Sequence, residues 1–387
     1  MSHPVTQDSS RKRSLPRPEA DLFCRVIDNF GDIGVCWRLA RCLARDHGWH
    51  VRLWVDAPDA LTRIKPHGAA EPGIEVLHWT DDATTCVPAG CVIEAFACDL
   101  PPAFVTAMAA QHPPPRWINL EYLSAEDWVE DCHGLPSHDA ASGLTKRFFF
   151  PGFTARTGGL LRERDLPAQR DAWLADTAAR KRDLARLGVT VDGGALQLSL
   201  FSYESPSIAT LIDALAAHAQ PVQLWVPESR SLTVAAEALG RALRAGDVVR
   251  RGALSLHVLA FMDQDDYDHL LWQCDLNIVR GEDSFVRAQW AARPMLWHIY
   301  PQDAGAHLPK LDAFLDRHAE GLPDEVATRL RALHRGWNSA AAVSVEDWQA
   351  VLGDLPRLVS HARWRAAMLA AQDDLATQLV MFNQPPI

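Results

Sequence analysis

The sequence predicts an α/β protein with two lobes. Short runs rich in β-forming residues alternate with helical patterns through most of its 387 residues, which is typical of parallel strands joined by crossover helices. The alternation is interrupted between residues 155 and 190 by a stretch dense in arginine and aspartate. The length also exceeds what one hydrophobic core usually serves. We therefore expect two sheets in tandem, with a ligand site in the cleft between them.

The first lobe is expected to span residues 21–185. Its strand-like runs are DLFCRVI, VRLWVD, IEVLHW, CVIEAF, RWINLEYL and RFFFPGF. The helix after the first run has the clearest pattern, because Val35, Leu39 and Leu43 fall on one face. We interpret the charged stretch as a connection with a solvated helix and place the domain boundary near residue 185. Residues 1–20 are expected to be a disordered leader without an export signal.

The second lobe is expected to span residues 186–361. Its strand-like runs are ALQLSLFSYE, PVQLWVPE, LSLHVLAFM, DLNIVRG and PMLWHIYP, and the helical patterns between them cover 207–218, 233–245, 266–273, 284–292 and 306–318. The chain then ends in helical patterns at about 323–336, 344–360 and 362–380, which have no strand partners of their own.

The composition excludes several classes of function. The formal net charge of -11 argues against a general nucleic-acid binder, whose binding face is basic. No stretch approaches the roughly 18 uninterrupted apolar residues of a membrane span. The eight cysteines include no C-x-x-C pair and most lie in apolar runs, which favours reduced, buried thiols in a cytoplasmic protein.

The loops after the strands limit the choice of ligand. The first of them, DNFGDIG, lacks the G-x-G-x-x-G pattern of dinucleotide binding, and no P-loop sequence occurs anywhere. The loop RGEDSFVRAQW, residues 280–290, precedes a helix that Asp283 or Ser284 could cap. The free N–H groups of that helix, together with Arg280, would attract a diphosphate. The alternative is a capped helix with solvated charges.

Asp28 and Asp32 lie four residues apart around a glycine turn at the start of the first helix. Asp32 alone could be a helix N-cap, and Asp28 alone could form an Asx-turn. Neither alternative explains the two together, so a site with paired carboxylates is the sharper interpretation. The acidic stretch DQDD at 263–266 is interpreted as a capped, solvated first helical turn, and no histidines have metal-ligand spacing.

Three stretches resemble one family. FCRVIDNFGDIGVCWRLAR, the FSYE of residues 201–204 and VRGEDSFVRAQWAARPMLWHIYPQ of residues 279–302 are similar to the bacterial elongation factor P arginine rhamnosyltransferases of the EarP type. The order and spacing of the stretches agree from about residue 21 to the C-terminus. Phe30 stands where a tyrosine would be expected.

The resemblance implies a GT-B fold, with two Rossmann-like lobes facing across a cleft and a C-terminal helix, about 362–387, packing back on the N-terminal lobe. It also implies an inverting transfer of L-rhamnose from dTDP-β-L-rhamnose to an arginine of elongation factor P, without a metal or another cofactor. By motif, the catalytic residues would be Asp28, Asp32 and Glu282. The nucleotide-sugar site would comprise Phe201, Tyr203, Phe261, Gln264, Arg280, Glu282, Asp283 and Ser284.

The chemistry of these residue types agrees with the resemblance. A guanidinium group is a poor nucleophile at neutral pH, so a carboxylate must orient it and accept its proton. We assign Asp32 as the base and Asp28 as its orienting partner. Glu282 would hold sugar or ribose hydroxyls, or stabilise positive charge at the anomeric carbon. The alternatives are a GT-B enzyme or sugar-nucleotide epimerase acting on a small molecule, and a binding protein without chemistry.

Overall fold

The computed structural model describes residues 19–27, 30–66, 68, 70–80, 86–302 and 305–384. The first strand begins at Glu19, two residues before the predicted start of the first lobe. Most of the predicted leader, residues 1–18, lies outside the described residues, and so does Asp28.

The first lobe is built on a sheet of seven described strands in the order β3-β2-β1-β4-β5-β7-β6. The strands are β1 Glu19–Cys24, β2 His50–Val55, β3 Ile74–His78, β4 Cys91–Ala95, β5 Arg116–Leu120, β6 Pro136–His138 and β7 Thr145–Phe149. Every pairing is parallel except the one between β6 and β7. Its helices are α1 Gly31–His47, α2 Pro58–Ile64, α3 Pro102–Ala109, α4 Trp128–Cys132, α5 Leu166–Ala175 and α6 Thr177–Arg186.

The second lobe is built on a sheet of six described strands in the order β10-β11-β9-β8-β12-β13. The strands are β8 Leu196–Leu200, β9 Val222–Pro227, β10 Val248–Arg251, β11 Leu254–Leu259, β12 Leu276–Arg280 and β13 Met295–His298. Its helices, with the terminal ones, are α7 Ser207–Ala216, α8 Arg230–Ala238, α9 Gln264–Gln273, α10 Asp283–Trp290, α11 His307–His318, α12 Asp324–Trp337, α13 Val345–Gly353, α14 Leu355–Ala370 and α15 Leu375–Phe382.

The elements differ from the sequence-based expectation in a few places. The antiparallel edge strands β6 and β10 were not expected, because each is short and mostly exposed and so lacks an apolar pattern. The helix expected at 233–245 ends at Ala238, and Gly240 adopts a positive φ of 63° in the turn that follows. The charged connection forms two helices, α5 and α6, rather than one.

The terminal helices connect the two lobes. Leu355 and Leu358 at the start of α14 belong to the core of the second lobe, whereas Leu375 and Leu379 on α15 belong to the core that contains α1. The ring of Phe382 packs edge-on against Phe149 of the first sheet, with centroids 5.3 Å apart. The chain therefore returns to its first lobe, as the GT-B expectation requires. Every helix in the described ranges is too short or too polar to cross a bilayer.

Candidate functional site

The first predicted site residue, Asp32, lies in the first turn of α1 at the carboxyl end of β1. Its Oδ2 accepts a hydrogen bond from the backbone N–H of Ile27 at 2.8 Å, and the hydroxyl of Tyr122 donates to its Oδ1 at 3.3 Å. The N-cap of α1 is Phe30, and Asp32 accepts a hydrogen bond from a backbone N–H that precedes the helix. The N-cap interpretation of Asp32 is therefore wrong. The hydrogen bonds instead fix the orientation of both carboxylate oxygens.

The pairing of Asp32 with Asp28 stays a prediction, because Asp28 lies outside the residues that the structure describes.

The second predicted loop joins β12 to α10. The N-cap position of α10 is Glu282, whose side chain makes no capping hydrogen bond. Ser284 hydrogen-bonds the backbone of Arg280 instead, donating to its carbonyl and accepting from its N–H at 3.1 Å. The expectation that Ser284 or Asp283 caps α10 is therefore wrong. The first N–H groups of an uncapped helix have no intrahelical acceptor and can bind an anion.

Asp283 connects this loop to the first lobe. Its Oδ1 accepts from Nε of Arg38 on α1 at 2.9 Å, and its Oδ2 accepts from Nε2 of Gln264 on α9 at 2.9 Å. Asp283 and Gln264, which were both predicted for the donor site, are thus bound to each other and to the first lobe. Their contacts orient the rim of the site rather than leaving two freely rotating side chains.

The predicted donor site is a small cavity of about 80 Å³ between the lobes. All but one of the predicted nucleotide-sugar residues line it: Phe201, Phe261, Gln264, Arg280, Glu282, Asp283 and Ser284. Tyr203 lies behind Arg280, whose Cζ is 4.7 Å from the centroid of the Tyr203 ring and 4.8 Å from that of Phe201. The guanidinium therefore makes cation–π contacts with two aromatic rings at the cavity wall.

A larger cavity of about 300 Å³ adjoins the first. The two share Gly31, Gly281 and Glu282 as lining residues. Asp32 from the first lobe and Glu282 from the second both line the larger cavity. The structure thus brings these two predicted catalytic residues, which are distant in sequence, to one space that opens toward the small cavity.

Sequence reasoning missed much of the larger cavity. Phe96, Tyr122, Ser124, Tyr300, Gln302, His307 and Lys310 all line it. Phe96 follows β4 with a positive φ of 58°, a conformation rare for a bulky residue, and Tyr122 follows β5. A position at the carboxyl end of a parallel strand was the signal that could have identified both residues.

The electrostatic environment of Glu282 is unusual for a carboxyl group. Burial raises its pKa to about 8. The N–H of Leu123, which donates to Oε2 at 3.0 Å, opposes this rise, whereas the nearby Asp32 and Asp283 add to it. Near neutral pH the carboxyl group is therefore mainly protonated and able to donate a hydrogen bond.

A buried ionic network lies behind the cavities. Arg38 and Arg287 both contact Asp268 and Glu163, with Arg287 Nη2 and Asp268 Oδ2 2.6 Å apart and Arg38 Nη1 and Asp268 Oδ2 3.1 Å apart. Burial alone would raise the pKa of Glu163, but the two arginines outweigh it and lower the value to about 2. These charges join α1 of the first lobe to α9 and α10 of the second.

A second group of ion pairs involves the start of α9. Asp263 caps α9 as expected, accepting from the N–H of Asp265 at 2.8 Å. The turn is not solvated, however, because Lys65 binds Asp263 and Asp265, and Arg41 also binds Asp265. The acidic stretch therefore forms part of the contact between the lobes.

Gly34 allows α1 to approach this rim closely. A Cβ atom at this position would lie 2.8 Å from Nε2 of Gln264, which is closer than side-chain contacts permit. The second glycine of DNFGDIG thus lets α1 approach the side chain of Gln264, and a larger residue here would force that amide to move.

The described residues contain no group of three or more histidine, cysteine, aspartate or glutamate side chains able to hold a metal ion. What the site offers an anionic ligand is the charge of Arg280 and the first turn of α10.

Comparison with known proteins gives a consistent result. Residues 20–384 match the family described as elongation factor P (EF-P) rhamnosyltransferase EarP. A protein-arginine rhamnosyltransferase of Pseudomonas putida is 52% identical over 369 residues, which cover 94% of this chain and 97% of the relative. A protein-arginine rhamnosyltransferase of Pseudomonas aeruginosa is 48% identical, with 94% and 98% covered.

A solved structure is also similar along its whole length. It was described in connection with EarP-mediated arginine glycosylation of translation elongation factor EF-P, and it is 40% identical to this chain. The match covers 95% of this chain and 98% of that one, with a TM-score of 0.69. The predicted GT-B fold and the predicted family are thereby confirmed, and the chain belongs to the EarP family of elongation factor P rhamnosyltransferases.

Proposed function

We propose that this protein transfers L-rhamnose from dTDP-β-L-rhamnose to one arginine side chain of elongation factor P, with inversion at the anomeric carbon. One observation carries the proposal. Asp32 and Glu282, from opposite lobes, line a cavity that adjoins a smaller one with an arginine and an uncapped helix start in its wall.

The small cavity has the chemistry that a nucleotide diphosphate needs. Phe201 and Phe261 offer aromatic faces for a flat base, and Arg280 with the first turn of α10 offers positive charge for the phosphates. Tyr203 supports Arg280 from behind, so we assign it an indirect part in donor binding. The same positive charge would stabilise dTDP as it departs, so we propose that the transfer needs no metal.

The large cavity has the chemistry that an arginine acceptor needs. A carboxylate oxygen accepts a guanidinium N–H in good geometry, and Asp32 is fixed by two hydrogen bonds before any substrate arrives. We propose that a guanidinium nitrogen attacks C1 of rhamnose while the bond from C1 to the diphosphate oxygen breaks. The electron pair of that bond leaves with dTDP, and the proton of the attacking nitrogen goes to Asp32.

Glu282 has two possible roles, and its protonation favours one of them. A neutral carboxyl group stabilises positive charge poorly but both donates and accepts hydrogen bonds. Because the pKa of Glu282 is raised to about 8, we propose that it holds a sugar hydroxyl at the junction of the cavities.

The eight cysteines are all free, and most of them are buried. Free thiols suit a reducing compartment, so we propose that the protein acts in the cytoplasm, where its acceptor would be found.

The test is intact-mass spectrometry of elongation factor P after incubation with this protein and dTDP-β-L-rhamnose. We expect a gain of one deoxyhexose, which an acceptor with lysine in place of the target arginine does not show. A gain that persists in the lysine acceptor would refute arginine as the target. Consumption of the donor without any modified protein would indicate a small-molecule acceptor or an epimerase.

A further inference from the structure

We propose that Tyr122 binds the acceptor guanidinium with its ring and positions Asp32 with its hydroxyl. The inference rests on the proposed function and concerns a residue that the sequence motifs do not include. It follows from the placement of one loop, residues 121–124, which comes directly after β5 and lines the large cavity.

This loop contacts the carboxyl groups of both lobes. The hydroxyl of Tyr122 donates to Oδ1 of Asp32 at 3.3 Å, and the adjacent N–H of Leu123 donates to Oε2 of Glu282 at 3.0 Å. Two neighbouring residues thus orient the proposed base and the proposed sugar-binding carboxyl. Ile27 holds the other oxygen of Asp32, so loss of the tyrosine hydroxyl would leave the carboxylate with less constraint on its rotation.

The ring of Tyr122 is placed so that a guanidinium could stack on its flat face. It stacks on Phe96 with centroids 4.3 Å apart and planes 16° apart, while Tyr122 as a whole remains 41% exposed and lines the cavity. Phe96 supports it from a left-handed backbone conformation that costs energy for a bulky residue. A planar guanidinium stacks well on an aromatic face, and on this ring it would lie beside Asp32.

The two parts of the proposal predict different kinetic effects. Tyr122→Phe keeps the ring and removes the hydrogen bond to Asp32, so it should lower kcat about tenfold or more with little change in KM for the acceptor. Tyr122→Leu removes both features, so it should lower kcat similarly and also raise the acceptor KM about fivefold or more. Donor affinity, measured by calorimetry with dTDP, should be unchanged in both variants.

The matched control is Trp364→Leu on α14. This residue is also an exposed aromatic, at 43%, and it does not line either cavity. We expect wild-type kinetics from it. Melting temperatures of the three variants show whether a kinetic change reflects loss of folding.

The proposal is overturned if Tyr122→Phe has the wild-type kcat, or if the acceptor KM of Tyr122→Leu equals that of Tyr122→Phe. A loss of dTDP affinity in both variants would also overturn it, since Tyr122 would then serve the structure of the cleft. A wild-type protein that transfers no rhamnose refutes the proposed function instead. In that case the affinity for elongation factor P is measured by calorimetry. Equal affinities of wild type and Tyr122→Leu would still refute the proposal that the Tyr122 ring binds the acceptor guanidinium.

Discussion

Two sets of carboxyl groups lie at the same interface between the lobes, and they have opposite surroundings. Glu163 and Asp268 are each bound by the two arginines Arg38 and Arg287. Glu282, at the wall of the cavities, receives one backbone N–H and faces another acidic residue, Asp32. The pKa of Glu163 is lowered to about 2, whereas that of Glu282 is raised to about 8.

The two sets of carboxyl groups differ in what they can do: one set stabilises the fold, and the other can take part in chemistry. A buried carboxylate that is fully paired with arginines is a fixed charge, and it holds helices together. A carboxyl group beside a cavity, paired with backbone and tyrosine donors, keeps a surface for a substrate and can exchange a proton. Removing a group from the cavity set should thus affect catalysis, and removing one from the ionic network should affect stability.

The largest effect is expected from Asp32→Asn. The amide keeps the shape of the side chain but cannot accept the proton of the guanidinium, so transfer should fall by about a thousandfold or more. The affinity for dTDP should stay within about twofold, because the base acts on the acceptor. Initial rates and calorimetry measure the two quantities.

A matched control for this variant is Asp171→Asn, which alters a mostly exposed carboxylate on α5 and should leave both quantities unchanged. Normal transfer by Asp32→Asn together with lost dTDP binding would remove Asp32 from the role of base.

The next largest effect is expected from Arg38→Met. The change leaves Asp268 and Asp283 with fewer partners in a buried site, so the free energy of unfolding should fall by about 3–5 kcal/mol. Arg45→Met is the control on the same helix. It breaks a bidentate contact with Glu71, but the arginine side chain is half-exposed, so the cost should be about 1 kcal/mol or less.

Denaturant unfolding measures both variants. Similar losses for Arg38→Met and Arg45→Met would show that burial of the arginine does not distinguish the ionic network from a pair with a half-exposed arginine.

Much of the difference between the two sets of carboxyl groups could not be predicted from the sequence. The alternation of runs predicted both sheets, and the loop motifs predicted which strand ends meet at the cleft. Arg38 belongs to a quoted motif, but its partners are more than 100 residues away, so no local spacing indicates an ion pair. The expected cap of α10 by Asp283 failed partly for the same reason, because Arg38, which is distant in sequence, binds Asp283 together with the nearer Gln264.

The roles of individual residues were predicted unevenly. Seven of the eight residues predicted for the donor site line one cavity, and four of these seven lie in residues 280–284, where motif and strand end coincide. Tyr122 was missed because a tyrosine at the end of an apolar run resembles any core residue until the carboxyl groups beside it are known. Whether each site residue does what its motif implies stays a prediction.

A smaller effect is expected from Glu282→Gln, which should change how the stability of the protein depends on pH. The ordinary pKa of a glutamate is near 4.5, and the folded-state value is about 8, so folding takes up a proton between these values. The wild type should lose stability from Glu282 as the pH rises through this window. The glutamine variant lacks that loss, so its melting temperature relative to wild type should increase by a few degrees from about pH 5 to about pH 8.5.

The contribution of Glu163 to stability depends on pH in the opposite direction. Its pKa is lowered in the folded state, so its contribution is present above the ordinary value and is lost as the pH falls toward about 2. Thermal melts of the wild type and Glu282→Gln across pH test the first effect. Parallel curves for the two proteins above pH 5 would show that Glu282 is ionised like an ordinary surface glutamate.

The smallest effect is expected from Gly34→Ala, which tests the contact between the two regions. In a helix interior, alanine usually stabilises relative to glycine by about 0.5–1 kcal/mol. Here the new methyl group would lie 2.8 Å from Nε2 of Gln264, so the amide must move away from Asp283. We expect the two effects on stability to cancel, while the affinity for dTDP falls by about threefold to tenfold, as calorimetry would measure.

Gly353→Ala is the matched control, because this helical glycine has nothing within 4 Å of the added Cβ. It should gain stability and keep the wild-type affinity for dTDP. If Gly34→Ala behaves in the same way, then Gln264 moves without cost and the rim of the small cavity is not set by its hydrogen bond to Asp283. If only Gly34→Ala loses dTDP affinity, then the hydrogen bond between Gln264 and Asp283 shapes the small cavity, and Asp283, which also binds Arg38, is the residue that the two regions share.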